Sequence, residues 1–449
     1  MKKIFQYIML AVVTIVMASC TSDIEETTAT TGKNNVQLVV GEFPAFGDSQ
    51  TRAIGTPDEG KTSWAEGDEL LLEIDNTSYG RHNATFTYNG KSWELTSGEL
   101  VYLEGDPAYI SHVYYAPNYK WSNTSLMLKK GKVAGTDEYI EGKARITGNG
   151  ETITVSFAEA TRKYSRLRIA TLPNEQITVD TEYFTPAGSS DMEQNGNYTL
   201  TSDEKGNAYL YGTFENNSEV TVKYREAALT TYTFSQATES AKSYALDATV
   251  ISANSAEEIK SAIEQKVADG KTTIRLNLAP NAGTNEFMAI REAIKDAAPN
   301  DLGTIELTII GVETIPEEAF YKMLQLKSVR MSDVKEIKKY AFKECQYLTV
   351  VEAPSLNKLC SGAFKKCDQL AKLTFGPINY ADERNWPIFE YITPNIDLIL
   401  SDYQKEMIET DSYLYTANND RDYAGSDEHN SKNFLGREFR SITCRYKVK

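Results

Sequence analysis

The sequence predicts a multidomain protein, with all-β sandwiches toward the N-terminus followed by an α/β solenoid of short repeats. Three observations carry that reading. Between Thr304 and Ile392 apolar residues recur every 22 positions, so Phe320, Phe342, Phe364 and Trp386 fall in one column. From Val36 to Tyr224 short alternating runs sit between Gly, Pro and Asn signals, and no convincing helix of ten residues precedes Ser255. The charge balance is 47 Lys plus Arg against 63 Asp plus Glu, a net −16, and 27 Tyr accompany it. That composition suits an exposed, β-rich secreted protein. It disfavours a nucleic-acid partner, whose phosphates ask for a basic face. A chain of 449 residues has room for roughly two to four domains.

Taken in order, the chain opens with Lys2 and Lys3 and then a largely apolar run from Ile4 to Met17, short for a bilayer span. It ends in Met17-Ala18-Ser19-Cys20, which resembles a bacterial lipobox, although Met stands where that pattern prefers Leu. The resemblance implies that residues 1–19 are a signal peptide and that Cys20 becomes the acylated N-terminus. Several acyl chains anchor firmly because each buries its methylenes. An ordinary secretory peptide cut after Ser19 is the plainer alternative. Residues 20–35, acidic through Asp23, Glu25 and Glu26 and then Thr-rich, form a flexible tether. The acidic run is similar to surface-export signals of lipoproteins in anaerobic Gram-negative bacteria.

Strands follow. Val36, Leu38 and Val40 share one face, Glu69 to Ile74 is a second strand, and Thr85 to Tyr88 alternates into Asn89-Gly90, a type I′ hairpin signal. Trp93 and Leu95 open the returning strand, and Val113 to Ala116 continues the pattern. A second block holds Ile153, Val155 and Phe157, then Leu167 and Ile169, Tyr209 to Phe214, and Val220 to Tyr224. The reading is two β-sandwich subdomains, 36–130 and 131–250. Thr51-Arg52-Ala53, Trp64-Ala65-Glu66-Gly67-Asp68-Glu69-Leu70 and the stretch from Ala108 to Pro117 resemble the fimbrillin family. So does Arg166-Leu167-Arg168-Ile169. That resemblance implies two sandwich subdomains on a lipoprotein precursor, with proteolytic processing at Arg52 in members that polymerise into pili. A further domain follows here, where polymerising members end. The resemblance therefore points to an anchored or tip-located adhesin. The plain reading of Arg52 is an arginine in an exposed loop.

Ser255-Ala256-Glu257-Glu258 is a capping-box pattern that opens a helix with Ile259, Ala262, Ile263 and Val267 along one stripe. Thr273 to Leu278 is a strand and Asn285 to Ala297 a second amphipathic helix, so 251–303 is expected to cap the solenoid. Over 304–400 the other columns keep step: Val312, Val334, Leu356 and Ile378; Met323, Cys345, Cys367 and Phe389; Leu326, Leu348, Leu370 and Ile392. Leu307, Val329, Val351 and Leu373 have an apolar partner two places on, which is strand spacing. A unit this short cannot bury its own apolar face, so copies must stack. Ile337 to Leu348 and Leu359 to Leu370 closely resemble the BspA-type leucine-rich repeat, an apolar residue, then a small residue and Phe, then C-x-x-L. Four copies align without a gap, the last degraded at Asn385 and Trp386. Residues 401–449, a Tyr-rich loop and then Phe434 to Val448, are expected to cover the other end.

The search for chemistry yields no catalytic, cofactor-binding or metal-ligating motif. His82, His112 and His429 lie apart, and Cys345 and Cys367 stand in a core column. Whether Cys360 and Cys444 pair is open from sequence, and Tyr114 and Tyr115 read better as strand residues than as sugar platforms. The expectation is a non-enzymatic lipoprotein, anchored to the outer membrane and exposed on the cell surface. It would be an adhesin binding a protein or glycan of the host or a neighbouring bacterium through the outward side of the repeat strands. The residues placed there are Thr308, Arg330, Val350, Glu352, Lys372 and Thr374, with Glu306 and Ser328 beside them. Arg330 leads because arginine anchors interfaces and engages carboxylates bidentately. The alternatives are a fimbrial tip or assembly component, with fimbrial subunits as partners, and a glycan-capturing lipoprotein.

Overall fold

The structure, a computed structural model, describes residues 27–28, 37–44, 46, 61–100, 109–147, 152–157, 162–225, 227–382, 387–392, 395–401, 404, 433–435 and 437–446. Cys20, Arg52, Trp386, His429 and nearly all of the Tyr-rich loop lie outside these residues. The chain divides into two units, residues 1–220 with 232–247, and residues 221–231 with 248–449.

In the first unit, alternation builds an eight-stranded sheet. Its order is Thr27–Thr28, Gln37–Val40, Thr152–Ser156, Ile140–Thr147, Tyr109–Tyr115, Glu69–Asn76, Gly80–Tyr88 and Trp93–Gly98. Leu38, Leu70, Leu72, Ile74, Phe86, Val113, Ile153 and Val155 point to one buried face. Gln37–Val40 runs parallel to Thr152–Ser156, so this sheet draws on both sides of the expected 130/131 boundary. The boundary is therefore corrected: the first sheet ends at Ser156 and the next opens at Ser165. The second sheet runs through Gln176–Pro186, Asn207–Phe214, Ser165–Ala170 and Ser243–Asp247, with Glu193–Thr201 paired on Gln176–Pro186.

One local feature differs from the sequence reading. Gly90 has positive φ (88°), but Asn89 is not in that region. The turn is a four-residue loop whose Asn89 Oδ1 accepts from the Lys91 and Ser92 N–H groups (2.9 and 2.7 Å). Tyr115 is a strand residue, as its sequence context predicts: it is 4% exposed and donates to Asp68 Oδ1 at 3.0 Å. A buried ion pair completes the unit: Arg162 reaches Glu138, which also accepts from the Tyr164 hydroxyl at 2.9 Å. Arg162 Nη2 donates to Pro44 O at 2.7 Å and its guanidinium lies 3.8 Å over the Phe46 ring. Burying a charge is costly unless it is paired and hydrogen-bonded, and both conditions hold.

In the second unit the 22-residue period becomes a parallel sheet. The order is Ile251–Ala253, Thr273–Leu278, Ile305–Ile310, Leu326–Arg330, Val350–Ala353, Lys372–Phe375, Asp397–Ser401 and Ser441–Tyr446. A second, four-stranded parallel sheet holds Thr314–Ile315, Glu336–Ile337, Lys358–Cys360 and Tyr380–Asp382. The described residues contain two α-helices, Ala256–Ala268 and Thr284–Ala297. Ser255 Oγ accepts from Glu258 N–H at the first, as the capping pattern predicts.

Between the two sheets the repeat aromatics form a ladder. Phe320, Phe342, Phe364 and Phe389 stack with centroids 5.1, 5.4 and 5.7 Å apart and ring planes within 20°. Phe287 of the second helix closes one end edge-on and Phe439 the other, at 77° and 90°. Phe389 holds the fourth rung, where the sequence reading put Trp386. The backbone agrees: Phe320 N–H donates to Ala341 O and Phe342 N–H to Ala363 O, but Phe364 N–H donates to Ile388 O. Leu373 pairs with Leu398, whereas Leu359 still pairs with Ala381. The fourth repeat therefore carries three extra residues after Asp382, and the gapless alignment is corrected there.

Candidate binding face

The outward side of the repeat sheet is set by strand alternation: Leu307, Val329, Val351 and Leu373 point into the core, and their neighbours point away. Register aligns Arg275, Thr308, Arg330, Glu352, Thr374 and Ile399 in one column. Glu306, Ser328, Val350, Lys372 and Asp397 form the other. The expected columns exist, but they are not open along their length. Thr308 is 3% exposed and Ser328 8%, so both leave the candidate surface. Arg275 is buried as well, its Nε donating to Leu229 O at 2.6 Å within the second unit. Exposure starts further along: Arg330, Val350, Glu352 and Thr374 are half-buried and Lys372 is exposed.

Charge on the open part is internally matched. Arg330 Nε lies 2.9 Å from Glu352 Oε2, and Lys372 Nζ lies 3.8 Å from Glu352 Oε1, so one carboxylate sits between two cations from neighbouring strands. Arg330, the first-choice contact, is therefore already engaged by a carboxylate of the same face. Ion pairs also link Lys327 with Glu306 (2.8 Å), Lys335 with Glu313 (2.5 Å) and Lys358 with Glu336 (2.7 Å), each across one repeat boundary. Pairs this exposed contribute at most about 1 kcal/mol each. Their consistent placement favours the stacking register.

The cysteines serve packing. Cys345 and Cys367 are fully buried, and each Sγ donates to the carbonyl of the preceding rung, Phe320 O and Phe342 O, at 3.0 Å. Burial pushes the Cys345 thiol up to about 12 and raises Cys367 well above its ordinary value. Cys360 and Cys444 sit in different sheets. Among the described residues no group of three His, Cys, Asp or Glu side chains is placed to hold a metal ion, and no helix is long and apolar enough to cross a membrane. The sequence reading passed over the loop column Gly311, Asp333 and Ser355. Its 22-residue spacing is the available signal.

Parallel strands in stacked repeats, each followed by a tight apolar turn, define leucine-rich-repeat architecture. Residues 301–403 match the family described as BspA type Leucine rich repeat region, in 6 copies where the aromatic columns align four. The match covers well under half of the chain. No curated protein matches the sequence.

Proposed function

We propose that the protein is a cell-surface adhesin whose leucine-rich repeats bind a protein or glycan of a host or neighbouring bacterium. The observation that carries this is the open part of the repeat sheet. There Val350, Glu352, Lys372 and Thr374 form a shallow face of mixed polarity on a rigid parallel sheet. A long shallow face suits a macromolecule better than a small substrate. In this reading a signal peptide, a lipid anchor at Cys20 and a tether precede a fimbrillin-like β-sandwich stalk and a capped solenoid. The lipid would hold the protein to the outer membrane, facing outward. It binds no cofactor and performs no catalysis.

A second reading makes the protein a fimbrial tip or accessory component processed at Arg52. It draws support from Gln37–Val40, a strand N-terminal to Arg52 that lies inside its sheet, with Leu38 fully buried. Removing that strand would open an apolar groove. A native N-terminus at Ala53 would favour this reading.

The test of the adhesin reading is capture. The intact protein, coupled to beads, is expected to retain a discrete partner from mucin, extracellular matrix or bacterial surface extracts. That partner should be released by added free protein. Failure to retain any partner from all three sources would contradict it.

A further inference from the structure

Beside the sheet face, and independent of it, lies a cleft across the carboxyl ends of the parallel strands. Its volume is about 650 Å³, within the range of ligand pockets. Three of its positions are one repeat column: Gly311 follows Ile305–Ile310, Asp333 follows Leu326–Arg330, and Ser355 follows Val350–Ala353. The next column adds Glu313 and Lys335, and Pro280, after Thr273–Leu278, closes the near end.

The column is shaped for access. Gly311 has φ 89°, and a Cβ there would lie 2.2 Å from Leu278 O, so the backbone turns tightly and brings no side chain. Its N–H donates to Asp333 Oδ2 at 2.8 Å, which fixes the Asp333 carboxylate by one oxygen. The cleft's charges balance, with Asp333 and Glu313 against Lys335 and Arg225, and Lys335 pairs with Glu313 at 2.5 Å. Arg225 belongs to the second unit through residues 221–231. Such a balanced lining rewards neither an anion nor a cation. It offers carboxylate and hydroxyl acceptors next to cationic donors, with apolar surface from Pro280 and Ala282. Vicinal hydroxyls on a ring with an apolar C–H face meet that combination, because each hydroxyl both donates and accepts.

We infer that this cleft is a binding site for a neutral oligosaccharide. Asp333 and Ser355 take its hydroxyls, and Pro280 faces its ring. The site does not depend on the sheet face acting as the adhesive surface.

The experiment titrates the intact protein with maltotriose, cellotriose, mannotriose and chitobiose, read by saturation-transfer NMR and calorimetry. At least one probe is expected to bind. Asp333→Asn, which removes charge and keeps shape, and Ser355→Trp, which fills the cleft from an exposed position, should each weaken it about tenfold or more. Melting temperatures confirm that both variants are folded, and should one not fold, the other decides. Lys120→Glu, an exposed change in the first unit, should leave sugar binding unchanged. Binding of none of the four probes would overturn the inference. So would a bound probe indifferent to the folded cleft variant, or a preference for sulfated heparin oligosaccharides over every neutral probe.

Discussion

Phe342 shows how far a single residue carries the fold. It is fully buried and stacks on Phe320 and Phe364 at 5.1 and 5.4 Å, so removing it opens a void between two repeats at once. Phe342→Ala should cost about 3–5 kcal/mol, measured by urea titration, and full retained stability would contradict the ladder. Cys345→Ser should cost less, since the hydroxyl inherits the acceptor at Phe320 O, yet remain destabilising. The thiols add a pH dependence. Burial raises Cys345 from 9.0 to about 12 in the folded protein. Between those values the unfolded chain holds fewer protons than the folded one, so stability falls as pH rises through about 9. Cys367 acts in the same direction. Urea midpoints at pH 7 and pH 10 should separate less in the Cys345→Ala variant than in the parent. Equal separations would show the thiol does not contribute.

At the scale of elements, the repeat columns were legible because apolar residues held at one long, fixed spacing are buried together only when the copies stack. Phe320, Phe342 and Phe364, with Ala before and Cys or Met three after, admit one register. The fourth repeat was not legible for an equally physical reason. Trp386, Phe389 and Ile392 are spaced by three, so the aromatic column and the one after it stay apolar under a shift of three residues and hide it. The strand column does separate the registers: without the shift Leu373 would meet Asn395, and the backbone pairs it with Leu398. Alternation identified which strand residues point outward, yet it carries no information on what covers them, and Thr308 and Ser328 are buried. The 130/131 boundary failed because strands of the same composition lie on both sides of it. The parallel pairing of Gln37–Val40 with Thr152–Ser156 joins residues more than a hundred positions apart, which no local pattern reports. The cleft column went unseen because its members, Gly, Asp and Ser, share a position but no chemistry. Phe287 and Phe439 close the aromatic ladder from within residues 248–449, so that segment should fold with one cooperative urea transition even without residues 221–231 of the second unit. A fragment lacking a cooperative transition would show that the ends are not self-capped.

For the whole molecule, a net charge of −16 disfavours a nucleic-acid partner, whose phosphates ask for a basic face. The proposed anchor is tested by Cys20→Ala. That variant should lose acyl mass and leave the detergent phase, whereas lipid on the variant would remove the lipoprotein reading. The central claim is that the open part of the repeat sheet is the adhesive surface. Its most direct measurement is the affinity of Val350→Glu with Lys372→Glu, in the intact protein, for the partner that the parent retains on beads. The account predicts binding weakened by about tenfold or more at an unchanged melting temperature, because both side chains point away from the core. Undiminished affinity in the folded double variant would contradict it.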